Sequence, residues 1–265
     1  MNRKFENKVI WITGASSGIG KGLALELSKH NCKLILSSRR KEVLEGVKQE
    51  CVYPENVAIL PFDLADYQNL KPIAQKAHQL FDRIDILINN GGISQRSLVI
   101  DTDISVDKKL MEIDYLGTVA LTKAVLPYFI EQQNGHIVTV TSVMGKFSSP
   151  YRSGYCGAKH ALHGFFDALR MEHVKDHIKV TMICPGFVNT EIAKNALVGD
   201  GSKLNSQDKA TENGLNVEEF VVRMLNAIKN EKFEAYIGKK EILGVYLKRF
   251  FPKFLHSYVL KSQVR

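Results

Sequence analysis

Cysteine is scarce in this chain: Cys32, Cys51, Cys156 and Cys184 are scattered without C-x-x-C spacing. That argues against a disulfide framework and against a zinc site, and it fits a reducing compartment. No run approaches the roughly eighteen uninterrupted apolar residues that a membrane-spanning helix needs. A strand pattern begins within ten residues of Met1 and leaves no room for a signal peptide, so a soluble, cytoplasmic protein is expected. His160 and His163 are the histidines nearest each other in the chain, and they lack acidic or thiol companions in a ligand pattern, so no metal site is expected. Internal repeats, low-complexity tracts and linkers are also missing, which argues against a solenoid and against two domains.

What is present fits one sizeable folded unit. The chain has 265 residues, 45% of them hydrophobic, enough to bury a large core in a single α/β domain spanning residues 1–265. Its formal net charge of +8 is unevenly placed. In residues 232–265, eight Lys or Arg stand against only Glu234 and Glu241, whereas the body is close to neutral. A local basic surface is expected rather than a nucleic-acid-binding fold.

Residues 8–13 (K-V-I-W-I-T) form an apolar strand pattern, followed at once by G-A-S-S-G-I-G at 14–20 and a helical pattern. Gly14, Gly18 and Gly20 let the backbone turn tightly and approach a ligand. Together with Ser16, Ser17 and Ile19 they open a helix whose amides and dipole attract a pyrophosphate. A second strand and helix follow over 32–50. Where a fold binding an unphosphorylated ribose places an acid, this chain has Ser38, Arg39 and Arg40. A guanidinium there would bind a 2′-phosphate and stack on adenine, so the expected cofactor is NADP(H).

The third strand, at 57–62, ends at Asp63 and Leu64, a position suited to holding the adenine ring. A helix over 66–81 and a strand over 84–88 lead to N-N-G-G at 89–92. Its asparagine amides can cross-link neighbouring loops while Asn90 and Gly91 leave backbone open to a ligand; an ordinary turn fits the same residues. A long helix is predicted over 107–132, with Leu110, Ile113, Asp114, Gly117, Leu121 and Val125 facing inwards. A fifth strand carries Ser142 at its end, a helix follows over 155–175, and a sixth strand ends at Pro185 and Gly186. This alternation predicts a doubly wound parallel sheet with right-handed crossovers. Ligands bind beyond the carboxyl ends of such strands, where the glycine loop, Arg39, Asp63, Asn89, Ser142 and Pro185 converge. Residues 198–214 are polar and aperiodic, as in a mobile loop; within 191–215 they could form a substrate lid or a surface insertion. A helix over 216–229 and a last strand over 234–238 complete the pattern.

The stretch 139–159 holds Ser142, Tyr155 and Lys159. On a helix, Tyr155 and Lys159 project from one face one turn apart. The ammonium would favour phenolate over phenol and let Tyr155 exchange a proton near neutral pH, with Ser142 supplying a second hydroxyl.

With T-G-A-S-S-G-I-G at 13–20, N-N-G-G at 89–92, Ser142 in S-x-x-G, Y-C-G-A-K at 155–159 and P-G-F-V-N-T at 185–190, the chain resembles the short-chain dehydrogenase/reductase family over residues 8–191. The resemblance implies a single-domain Rossmann fold of about seven parallel strands with helices on both faces. It implies that Tyr155 is the general acid/base, that Lys159 supports it and holds the nicotinamide ribose, and that Ser142 orients a substrate carbonyl. It also implies that Pro185, Gly186, Val188 and Thr190 hold the nicotinamide end. Two departures stand out. A glycine replaces the commoner alanine of N-N-A-G, and Asp114 stands where the family usually has the asparagine of N-x-x-G, which touches the proton relay. The residues after Tyr155 look most like the branch of hydroxysteroid- and retinol-dehydrogenase-like reductases.

The expected activity is NADP-dependent hydride transfer between nicotinamide and a carbonyl or secondary alcohol, on a lipophilic small molecule, in a homodimer or homotetramer built through 107–132 and 155–175. The alternative is an NADP(H)-binding scaffold acting through its basic aromatic tail, 239–265. In that tail, residues 242–260 could lie on an anionic membrane surface or pack on the body, with Pro252 interrupting any helix.

Overall fold

Seven short segments, most of them strongly apolar, run side by side in the computed structural model, which describes residues 4–262; the ends of the expected domain and tail, 1–3 and 263–265, lie outside the described residues. The strands are β1 (Val9–Thr13), β2 (Lys33–Ser37), β3 (Val57–Ile59), β4 (Ile86–Asn89), β5 (Gly135–Val140), β6 (Ile178–Pro185) and β7 (Glu234–Ile237). All neighbours pair parallel, in the order β3-β2-β1-β4-β5-β6-β7. Every residue of β1, β4 and β5 is buried, as a parallel sheet covered on both faces requires. The order reverses between β1 and β4, which opens a crevice at their carboxyl ends.

The first helices are α1 (Gly18–Leu27), α2 (Lys41–Glu50), α3 (Leu70–Phe81), α4 (Ile104–Leu110) and α5 (Thr118–Glu131). They are followed by α6 (Ser153–Glu172), α7 (Lys209–Glu212), α8 (Val217–Lys229), α9 (Leu243–Phe250) and α10 (Pro252–Lys261). Alternate strand residues serve opposite layers. Ile10 and Ile12 pack under Leu23 and Leu27 of α1, Leu44 of α2 and Phe220 and Met224 of α8. Trp11, Leu87 and Ile137 pack under Ala74 of α3, Leu121 and Phe129 of α5, and Phe166 of α6. The Trp11 indole spends its N–H on the Ser37 hydroxyl at 2.8 Å, so the large ring is buried without a polar penalty.

The long helix expected over 107–132 starts earlier, at Ile104, and contains a π-helical segment, Met111–Gly117, between α4 and α5. By length and composition Ile104–Glu131 is apolar enough to cross a membrane, which a count of uninterrupted apolar residues passes over. Its apolar stripe is turned onto the sheet, where Leu121, Val125 and Phe129 are fully buried, and onto α3.

Residues 191–215 are aperiodic in sequence but anchored in the fold. Leu197 bridges to Gln95 and Lys203, and Val188 to Leu215. Asp208 caps α7 by accepting from the Thr211 amide at 2.7 Å. The same carboxylate meets buried Arg96 at 2.8 Å and buried Arg152 at 3.7 Å. Burial would raise the Asp208 carboxyl, but its hydrogen bonds from Thr211 and Arg96 more than offset this and leave it below its ordinary range. In the tail, Pro252 is the first residue of α10, where its missing N–H is no loss, so it starts a second helix instead of merely ending one.

Removing one partner of a buried ion pair leaves an uncompensated charge, at about 3–5 kcal/mol. Asp208→Ala is expected to lose that much stability in chemical denaturation at neutral pH. Because the native carboxyl lies below its unfolded value, its contribution is present above the ordinary carboxylate range and is lost as pH falls, so parent and variant converge in acid. A loss below about 1 kcal/mol at neutral pH would show that the anchor is dispensable.

Candidate active site

The crevice between β1 and β4 is closed by hydrogen bonds before any ligand is considered. Asn90 Nδ2 donates to the carbonyls of Thr13 at 3.0 Å and Gly14 at 3.4 Å. The Thr13 hydroxyl in turn accepts from the amides of Asn90 at 3.0 Å and Gly91 at 2.9 Å. Gly14, at φ +64°, is held so close that a Cβ would lie 2.8 Å from Gly91 Cα, so this turn admits no side chain. Gly18 opens α1 at φ +51°, with extended Ser17 before it, Ser16 beside the loop and Ile19 and Gly20 in the first turn. A bare amide turn at a helix start is a cradle for a phosphate group.

At the neighbouring end of β2, Arg39 and Arg40 are exposed. Ser38 Oγ accepts from the Arg40 amide at 3.3 Å, and the Arg40 guanidinium reaches Ser16 Oγ at 3.4 Å, so one arginine leans over the glycine loop. Asp63 accepts from the Ala65 amide at 3.0 Å, and Leu64 packs beside the α3 and α5 layer. Asn89 turns the other way: its amide donates to Thr122 Oγ1 of α5 at 3.0 Å.

Across the switch point, the π segment delivers Asp114, fully buried, into the site. One carboxylate oxygen accepts from the Ile93 amide at 2.8 Å, and the other stands 3.5 Å from Lys159 Nζ. The Lys159 ammonium also donates to the Val140 carbonyl at the end of β5 (3.4 Å) and lies 5.6 Å from the centre of the Tyr155 ring. Burial raises the Asp114 carboxyl above its ordinary value, against the pull of Lys159 and the Ile93 amide. Burial alone would lower the Lys159 ammonium; the charges of Asp114 and Tyr155 and the Asp114 hydrogen bond together outweigh it and hold the ammonium above its ordinary value. Lys159 is therefore a cation at neutral pH although it is 5% exposed. Ser142, just past β5, accepts from the Met144 amide at 3.1 Å and donates to the Pro185 carbonyl at 3.5 Å.

β6 ends at Pro185, the Gly186 amide still donates to the Ile237 carbonyl of β7 at 2.8 Å, Val188 enters the core, and Thr190 returns over the cradle, 3.1 Å from where a Gly18 Cβ would sit. The sequence-predicted residues thus gather along one edge of the sheet, with Arg39 and Arg40 at its outer, exposed end.

Four supporting groups escaped the sequence reading. Thr13 lies inside the glycine motif but was given no role of its own. Gln95, fully buried, accepts from the amides of Gly154 at 2.9 Å and Tyr155 at 3.3 Å and so fixes where α6 begins. Glu241 accepts from the Phe187 amide at 2.9 Å and the Lys239 amide at 3.1 Å, clamping the chain just after β6 to the base of the tail. Glu234 of β7 accepts from His163 at 3.1 Å and from Lys146, and behind them Cys184 meets Thr141 at 3.2 Å, next to Ser142. Only Thr13 had a signal, its place in the glycine motif; the other contacts join residues too far apart in the chain to form a pattern.

A family model described as short chain dehydrogenase matches residues 8–199. Human dehydrogenase/reductase SDR family member 7 is 44% identical over 251 residues, 92% of this chain and 74% of that protein. The SDR family protein 7-like dehydrogenase/reductase of Anopheles gambiae is 38% identical over 98% of this chain and 84% of its own length. Among solved structures, a short-chain dehydrogenase/reductase from Burkholderia phymatum in complex with NAD superposes with a TM-score of 0.84 at 20% identity, covering 95% of this chain and 96% of that one. ElxO with NADP bound gives 0.67 at 31% identity over 70% of this chain and 75% of its own. The glycine cradle, the buried Lys159 beneath Tyr155 and these matches lead to one conclusion: the chain belongs to the short-chain dehydrogenase/reductase family and is an oxidoreductase acting on CH–OH/C=O groups.

Proposed function

We propose that the protein is an NADP-dependent reductase or dehydrogenase of lipophilic carbonyls or secondary alcohols, with Tyr155 as general acid/base. The observation that carries this reading is the buried Lys159 cation beneath the Tyr155 ring, with Ser142 on the adjoining strand end. The site fits a phosphorylated dinucleotide: the cradle at Gly14 and Gly18 admits backbone close to a phosphate, and Arg39 and Arg40 are exposed cations at the end of β2, beside it. ElxO, at 31% identity, binds NADP. Bound NADP(H) supplies or takes up the hydride at its nicotinamide ring.

The chain's own groups handle the proton and the charge. In reduction, Tyr155 gives its phenolic proton to the carbonyl oxygen as negative charge builds there, and Ser142 hydrogen-bonds the same oxygen. The phenolate left behind is stabilised by the Lys159 ammonium, whose place is fixed by Asp114 and the Val140 carbonyl. Residues 191–215, held through Asp208, cover the substrate side. The proposed setting is cytoplasmic, and the proposed assembly a homodimer or homotetramer through α5 and α6.

Asp114 gives this site a feature the family's usual asparagine lacks. Both side chains can accept from the Ile93 amide, but the carboxylate adds a negative charge 3.5 Å from Lys159 and so weakens the field that favours phenolate.

Tyr155→Phe is expected to lower turnover by at least about a hundredfold while NADPH affinity, measured by fluorescence titration, stays within about threefold; near-normal turnover would refute the assignment. The parent is expected to bind NADPH more tightly than NADH, and Arg39→Ala to narrow that ratio by about tenfold, the loss of one charge-assisted contact. Equal affinities in the parent would contradict the 2′-phosphate site. In Asp114→Asn the pH profile of alcohol oxidation should move to lower pH by roughly one unit, because Lys159 acts on Tyr155 without a competing carboxylate; an unmoved profile would show that Asp114 is not charged during turnover.

A further inference from the structure

Helices α9 and α10 present two unlike faces. On the inner one, Leu247, Leu255 and Val259 pack with Val143 and Phe147, the residues that follow Ser142. The outer one carries Leu243, Tyr246, Phe250, Phe251, Phe254 and Tyr258, each more than half exposed. Large apolar groups clustered at this density on a surface mark a contact site. Among them stand Lys248, Arg249, Lys253 and Lys261, all exposed, and no Asp or Glu follows Glu241 in the sequence. The face is therefore both aromatic and cationic, and neither helix carries an Asp or Glu of its own.

That combination selects the occupant. A second copy of this chain meeting the same face through a two-fold axis would set Lys and Arg against Lys and Arg, with no acid in the patch to pair them. A bilayer carrying anionic headgroups meets both demands at once: aromatic rings settle at headgroup level, and lysine and arginine stems lie along apolar surface while their charges reach lipid phosphates. Pro252 contributes by splitting the tail into two short helices that lie on the body, so neither is long enough to span a membrane.

We propose that the outer face of α9 and α10 docks the protein on an anionic membrane surface. Docking places the loop after Ser142 directly beneath the lipid-facing helices. The inference stands independently of which carbonyl is reduced.

The test is co-sedimentation of the full chain with phosphatidylcholine vesicles and with vesicles containing phosphatidylserine, at low and high salt. The expected result is binding to the phosphatidylserine vesicles, weakened steeply by salt. Binding should fall at least about tenfold in the Lys248→Glu/Arg249→Glu/Lys253→Glu variant and in the Phe250→Ser/Phe251→Ser/Phe254→Ser variant. Both variants change exposed residues outside the site and should keep the parent's thermal midpoint and its turnover of a water-soluble carbonyl. No binding by the parent, equal binding to neutral vesicles, or insensitivity to salt would overturn the proposal, and these readings need no variant. So would a lipid-free oligomer, seen by light scattering, that the phenylalanine substitutions dissolve, since the occupant would then be a second copy.

Discussion

A buried ammonium organises the centre of this protein. Lys159 is almost fully withdrawn from water, and an unpaired charge there would either leave the interior or lose its proton. Three elements hold it charged. The π segment turns Asp114 inwards, β5 ends so that the Val140 carbonyl faces the cation, and α6 places Tyr155 one turn before it. A regular α-helix from Ile104 to Glu131 would rotate Asp114 to a different azimuth, so the irregular turn is the local cost of placing that carboxylate. Gln95 sets the start of α6 and thereby the position of Tyr155 and Lys159 together.

The parallel sheet makes such a cluster possible. Every strand delivers its carboxyl end to the same edge, and the order reversal between β1 and β4 leaves a gap that no helix fills. Thr13 and Asn90 stitch that gap shut at its floor, so the glycine turn is rigid before a dinucleotide arrives. The buried Arg96 and Asp208 pair does equivalent work elsewhere, tying a polar, aperiodic segment to the chain that follows β4.

How much of this was legible in the sequence follows from the range of each interaction. Strands and helices were readable because their periodicity is local, and the glycine loop, Ser142 and the Tyr155 and Lys159 pair were readable because their chemistry sits within a few residues. The π segment was not, since nothing in M-E-I-D-Y-L-G breaks helical periodicity. The anchoring of 191–215 was equally hidden, because Asp208 finds Arg96 more than a hundred residues away. Pro252 pointed to a break, yet at the first position of α10 the same ring favours a helix. The tail's inner and outer faces separated only once Phe147 and Gly244 were seen in contact.

Hydride delivery to a carbonyl carbon at this edge is the central step of the proposed reaction. The most direct measurement incubates the protein with NADPH deuterated at the transferable C4 position and a lipophilic ketone, then locates the label in the product by mass spectrometry. One deuterium on the carbinol carbon is the predicted result. An unlabelled alcohol, or no alcohol with the label retained in the nucleotide, would contradict the account.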